Sequence, residues 1–112
     1  MIREFVYTTR FDREWKALGL TDDDLIPLEN FLLESPDAGV IIEGTGGIRK
    51  LRWSLPGRGK RSGVRVLYLD FIVCDRICMF DLFQKDEKEN LSSAEKKAIK
   101  LIVKAIGEEF RK

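Results

Sequence analysis

The spacing of apolar and polar residues changes along the chain and predicts which segments are strands and which are helices. Residues 2–8 form a short mixed run rich in β-formers, so we expect a first strand there. Phe11, Trp15 and Leu18 then recur at i, i+4 and i+7, which places them on one face of a helix. A second helix begins near Thr21, because three aspartates follow it and negative charge is favourable in the first turn of a helix.

Strand signals replace helical ones in the middle of the chain. Residues 48–55, 64–73 and 77–83 alternate or are rich in β-branched and aromatic side chains, which predicts three consecutive strands. The tail, residues 91–110, is helical again. Its predicted buried stripe consists of Ala98, Ile102, Ala105 and Ile106. The order β-α-α-β-β-β-α predicts one α+β domain over residues 1–112, a two-layer fold in which a mainly antiparallel four-stranded sheet has its helices packed on one face.

The composition excludes several kinds of functional site. The chain has no histidine, so catalysis by a Ser-His-Asp or Cys-His arrangement is excluded. Cys74 and Cys78 are the only cysteines, which is too few for a tetrahedral zinc site, and we interpret them as free thiols beside a turn. No apolar stretch reaches membrane-spanning length, and the N-terminus lacks the apolar core of a signal peptide. We therefore expect a cytoplasmic protein.

Positive charge is concentrated in one block. Residues 44–65 contain seven Lys or Arg residues and no Asp or Glu, although the whole chain carries a net charge of only +1. A surface that only serves solubility normally mixes both signs. The block therefore favours contact with a polyanion such as a nucleic acid, and the alternative is a solvated basic hairpin.

Strand parity divides the basic residues between two faces, because successive side chains of a strand alternate. Lys50 and Arg52 share one face, and Arg49 points to the other. By the same alternation, Arg65 in the next strand and Lys85 after the last strand can project from one face of the sheet. We expect both to lie there together with one of the two basic sets, either Lys50 and Arg52 or Arg49.

Several short motifs in one order carry a family resemblance. GTGGIRKLRWSLPGRGKRSGVRVLYLDF followed by ICMFDLFQKDEKENLSSAEKKAIKLIV resembles bacterial toxins of the RelE/ParE superfamily, in the HigB-like branch, over nearly the whole chain. The resemblance implies a RelE-like fold and the toxin of a type II toxin–antitoxin pair. It also implies a ribosome-dependent mRNA endonuclease that needs no metal or other cofactor, in which the 2′-OH of the RNA attacks the adjacent phosphate.

The resemblance also assigns site residues by position. It implies a catalytic set of Lys50, Arg52, Arg65, Lys85 and Lys88, in which Arg52 and Arg65 hold the scissile phosphate and Lys50 or Lys85 assists proton transfer. It implies an RNA- and ribosome-binding set of Arg49, Arg58, Lys60, Arg61 and Phe83. Phe83 either stacks on a base or completes the apolar face of the sheet. No His or Tyr stands between Phe83 and Leu91, where several family members carry one, so the general acid and base stay open.

The implied partners are a cognate antitoxin with a helix-turn-helix, the ribosome and its mRNA, and operator DNA only through the antitoxin. Two alternatives stay open. One is a RelE-fold protein that binds RNA or an antitoxin without catalysis, and the other is a ParE-like toxin that acts on a topoisomerase.

Overall fold

The computed structural model describes residues 3–55, 63–84 and 90–111. In these ranges the chain forms three helices, α1 (Thr9–Ala17), α2 (Asp22–Glu34) and α3 (Ser93–Phe110). The same ranges contain five strands, β1 (Glu4–Tyr7), β2 (Val40–Ile41), β3 (Arg49–Trp53), β4 (Val64–Phe71) and β5 (Arg76–Gln84). None of these helices combines the length and the apolar composition needed to span a membrane.

All five strands join one sheet in the order β1-β5-β4-β3-β2. β1 is parallel to β5, and every other pair is antiparallel. The predicted α+β fold with a mainly antiparallel sheet is therefore confirmed. The sheet has one strand more than predicted, because Val40 and Ile41 pair with β3 at the edge. Strand signals begin at residue 40, but the apolar run 40–42 is short and glycines follow at 44, 46 and 47, so the predicted order does not count a separate strand there.

The helices cover both faces of the sheet, and the prediction that they share one face is wrong. Phe11 of α1 and Leu28 of α2 are fully buried against the face that carries Val66 of β4. On the opposite face Val103 of α3 packs with Leu67. The reason lies in β4, which is apolar on both faces over residues 66–69 and therefore has to be buried on both.

α3 covers only part of its face. Along β4 the side chains on that face run from Leu69 and Leu67, which are buried, to Arg65, which is only partly buried. Along β3 they run from buried Ile48 through Lys50 to exposed Arg52. The basic ends of the two strands therefore lie beyond the apolar contact that holds α3.

The start of α1 is fixed to β5 by one residue. Thr8 caps the helix, since its Oγ1 accepts a hydrogen bond from the N–H of Phe11 at 3.0 Å. The same hydroxyl donates to the carbonyl of Phe80 at 2.6 Å, and the N–H of Thr8 donates to the carbonyl of Met79 at 3.1 Å. The first turn of α1 consequently lies beside residues 79–81 of β5.

β5 contains a bulge at the same place. Leu67 is opposite Asp81 and the next residue, Tyr68, is opposite Met79, so Phe80 is an extra residue in β5. A bulge redirects the side chains around it. Phe80 packs into the cluster under α3, and the carboxylate of Asp81 reaches Arg10 of α1.

Candidate functional site

Three side chains form a row across three neighbouring strands. Arg52 of β3 is directly opposite Arg65 of β4, and Arg65 is directly opposite Phe83 of β5. Residues that face each other in antiparallel strands project from the same side of the sheet, about 4.8 Å apart per strand. The two arginines thus lie side by side on the part of this face that α3 leaves open, and the ring of Phe83 next to them is partly buried against the cluster under α3.

Like charges directly opposite each other in a sheet are destabilising. The Arg52–Arg65 pair therefore carries a local cost that the fold itself does not require. None of the four ion pairs found in the described part of the chain involves either arginine. An anion that bridges the two guanidinium groups would remove the repulsion and form charge-assisted hydrogen bonds with both.

Lys50 lies one row further toward α3, opposite Leu67. It lines a cleft of about 430 Å³ together with Arg52 and Arg65, and no acidic residue of the described ranges lines it. The remaining described lining residues are Ala38, Val40, Leu51 and Asn90. Among the described residues the cleft thus combines three cations with neutral side chains, which suits a phosphodiester.

Arg49 points to the other face of the sheet, where it is directly opposite Tyr68. Its Nη1 donates to the carbonyl of Gly39 at 2.7 Å and to that of Asp37 at 3.2 Å. These bonds hold the segment between α2 and β2. The structure places Arg49 apart from the three cations of the cleft.

Tyr68 is the nearest tyrosine in sequence to Arg65, and it belongs to the core. Its side chain is fully buried, its hydroxyl donates to the carbonyl of Pro36 at 2.7 Å, and it accepts from the N–H of Gly39 at 2.9 Å. Burial raises its pKa. Tyr68 lies in the cluster that contains Val64 and Val66 and so faces away from the cleft.

Phe83 lines a second groove, of about 370 Å³, on the β1 side of the row. The walls of this groove include Phe80 of the bulge, and Leu91 with Ile99 from the start of α3. Arg10 and Asp81 form an ion pair at its rim, with Arg10 Nε 2.8 Å from Asp81 Oδ2. Sequence reasoning missed Arg10, because it stands far from the basic block and only the pairing of β1 with β5 brings it here.

Five predicted site residues lie outside the described residues: Arg58, Lys60, Arg61, Lys85 and Lys88. Their assignments stay predictions. Of the other five, the structure brings together Lys50, Arg52, Arg65 and Phe83, and it places Arg49 elsewhere.

Neither cysteine is among the described residues that line the cleft or the groove. Both are free, Cys78 is buried in the cluster under α3, and burial raises the pKa of its thiol to about 11. Within the described ranges, no three His, Cys, Asp or Glu side chains form a group that could hold a metal ion.

Comparison with known proteins supports the fold. The chain matches none of the known protein families when it is compared with their sequence profiles. Its structure belongs to the class of RelE-like α+β folds. It is similar to the structure of the Escherichia coli toxin RelE, a double arginine mutant in the free state, with a TM-score of 0.54 and 19% sequence identity over 80% of this chain and 90% of that one. At this identity the similarity shows the fold alone.

Proposed function

We propose that this chain is the toxin of a type II toxin–antitoxin system, in the HigB-like branch, and that it cuts mRNA on the ribosome. The observation that carries the proposal is the row Arg52–Arg65–Phe83 with Lys50 beside it. A cationic cleft next to an aromatic ring is the combination that single-stranded RNA requires, because it offers both phosphates and unpaired bases.

The proposed reaction is an intramolecular transesterification, in which the phosphorus exchanges one oxygen of the RNA for another. The 2′-oxygen of one nucleotide forms a bond to its own 3′-phosphorus as the bond to the 5′-oxygen of the next nucleotide breaks. The 2′-OH loses a proton and the leaving 5′-oxygen gains one, so the products are a 2′,3′-cyclic phosphate and a 5′-OH. Negative charge grows on the phosphoryl oxygens in the transition state.

The arginines suit that charge. Arg52 and Arg65 each present a planar fork of N–H donors that fits two phosphate oxygens. Donors fixed in place before the reaction stabilise developing charge strongly, since they need no reorganisation. Lys50 lies in the same cleft and is the described residue suited to proton transfer. Lys85 is the second candidate for that step, and Lys88 completes the proposed catalytic set.

The remaining assignments belong to the same proposal. Phe83 stacks on a base, and the loop cations Arg58, Lys60 and Arg61 hold ribosomal RNA through its backbone, where contacts do not depend on sequence. The partners are the ribosome, its mRNA and a cognate antitoxin, and operator DNA is contacted through the antitoxin. The protein acts in the cytoplasm.

Expression of the chain in bacteria, followed by mapping of mRNA 5′ ends, tests the function. Growth arrest with cuts at a fixed position within codons supports the proposal. Arrest with DNA damage and intact mRNA would assign the chain to toxins that act on a topoisomerase. The absence of both arrest and cuts would leave a binding protein without catalysis.

A control variant distinguishes an effect of the cleft from the effect of losing one positive charge anywhere on the protein. Arg65→Ala should abolish the cuts. Arg76→Ala removes the same charge from the far end of β5, where the guanidinium lies 4.8 Å above the ring of Phe110, and should leave the cuts in place. Equal loss in both variants would argue against the cleft as the site.

A further inference from the structure

The groove on the far side of Phe83 has no role in phosphate chemistry, and its composition differs from that of the basic cleft. We propose that it is a nucleobase subsite, in which Phe83 stacks on one base of the RNA and the Arg10–Asp81 pair contacts the edge of that base. This inference rests on the proposed function, because it assigns a substrate position to the same site.

Position is the first argument. Phe83 is directly opposite Arg65, one strand spacing away, and both side chains leave the same face of the sheet. A nucleotide whose phosphate lies on Arg65 can therefore place a neighbouring base over Phe83. The groove begins at this ring and continues toward α1.

The chemistry of the walls is the second argument. Phe80, Phe83, Leu91 and Ile99 supply apolar surface on several sides, and flat apolar surfaces of this kind bind the faces of unpaired bases. The charged residues of the described lining are Arg10, Asp81 and Glu95, which sum to one negative charge. That balance disfavours a phosphate in the groove and leaves a base as the part of RNA that fits.

The rim supplies the polar contacts. Oδ1 of Asp81 accepts a hydrogen bond from the backbone N–H of Leu82 at 2.8 Å, and Oδ2 accepts one from Nε of Arg10. The carboxylate is therefore fixed in one orientation. A guanidinium held through Nε still has its Nη groups as donors, and each carboxylate oxygen has a second lone pair. The pair thus offers donors beside acceptors, which is the pattern that the edges of nucleobases match.

The bulge explains how Asp81 comes to this position. Met79 and Asp81 each have a partner in β4, and Phe80 between them is the extra residue of the bulge. The first turn of α1 is fixed beside Phe80 through the hydroxyl of Thr8. Asp81 is only 16% exposed in its side chain, whereas Arg10 is 61% exposed. Because the Arg10 end of this ion pair is exposed to solvent, the pair adds little to stability, and variants of Arg10 are expected to fold.

Synthetic mRNAs that carry an abasic nucleotide at each position around the cut, bound to ribosomes, test the subsite. With wild-type protein, one abasic position should lower kcat/KM roughly tenfold or more, because one stacked base is lost. In Phe83→Leu and in Arg10→Ala the same abasic substitution should lower kcat/KM by a clearly smaller factor, because these variants have already lost part of the contact with that base. Asp81→Asn, which keeps the shape of the side chain, should behave like Arg10→Ala.

Arg13→Ala is the matched control. Arg13 lies on the same helix, its side chain is 66% exposed, and its ion-pair partner among the described residues is Glu14, at 3.9 Å. It should keep the full abasic penalty. If wild type cuts intact mRNA but each abasic position lowers kcat/KM by the same factor in wild type and in every variant, the proposed subsite is wrong. Wild-type protein that cuts none of the intact mRNAs would instead overturn the proposed function.

Discussion

Arg52 and Arg65 are directly opposite each other on β3 and β4, so two positive side chains leave the same face of the sheet as neighbours. The repulsion between them is a cost to folding that an RNA phosphate would relieve. Removing one of the two should therefore separate stability from activity.

Substitution of Arg65 by Thr, a good strand residue, should leave the free energy of unfolding unchanged or raise it by up to about 1 kcal/mol, because a like-charge pair is removed. The same variant should lose mRNA cleavage. Urea unfolding and a cleavage assay on one preparation check both effects. A variant that is clearly destabilised would mean that Arg65 has a structural role which the contacts do not show.

Tyr68→Phe should destabilise the protein by about 1–3 kcal/mol and leave cleavage by the folded fraction intact. The hydroxyl donates to the carbonyl of Pro36 and accepts from the N–H of Gly39, so its removal leaves a partly buried carbonyl and a buried N–H without this partner. Thermal unfolding and cleavage assayed well below the melting temperature distinguish the two effects. A loss of kcat in fully folded protein would make Tyr68 part of the chemistry.

The thiol of Cys78 should make stability fall at high pH. Its pKa is about 11 in the folded protein against an ordinary 9.0, so the unfolded chain releases the proton first. The contribution of this thiol to the free energy of unfolding is complete below pH 9.0 and is lost as the pH rises toward about 11. Wild type should lose about 2–3 kcal/mol more than Cys78→Ala across that window, as two pKa units imply.

The pH dependence of urea unfolding measures this difference. Cys74→Ala is the control, because Cys74 is only partly buried and lies outside the core clusters. Parallel curves for wild type and Cys78→Ala would contradict the prediction.

The orientation of α3 gives a further prediction. Val103 is 8% exposed and Ile102 is 47% exposed, so Val103→Ala should cost about 1–2 kcal/mol and Ile102→Ala clearly less. Urea unfolding of the two variants checks the order. The reverse order would mean that the other face of the helix packs on the sheet.

This helix also shows where sequence reasoning fails. The helix itself was predictable from its period and its capping box, but the predicted buried stripe was wrong. Ala98, Ile102 and Ala105 are exposed and Ile106 is only partly buried, whereas Val103 and Gly107 are buried. α3 is apolar on more than one side, so periodicity alone cannot select the face that packs. The selection depends on the apolar residues of β4 and β5 that lie beneath α3.

The site was predictable to the extent that it depends on parity. Alternation along β3 separates Arg49 from Lys50 and Arg52, as predicted, but parity left open which of the two sets shares the face of Arg65. The register shows that it is Lys50 and Arg52. The alignment of Arg52, Arg65 and Phe83 in one row depends on registers, which the sequence does not reveal. Arg10 was unpredictable for a similar reason, since its place follows from the parallel pairing of β1 with β5 and from the bulge at Phe80.

The most direct test of the central claim is cleavage of ribosome-bound mRNA by purified protein, with the chemistry of the new ends determined. We expect a 2′,3′-cyclic phosphate and a 5′-OH from wild type and from Arg76→Ala, and no cut from Arg65→Ala. Cleavage by Arg65→Ala at the wild-type rate, or no cleavage by wild type, would contradict the proposed activity.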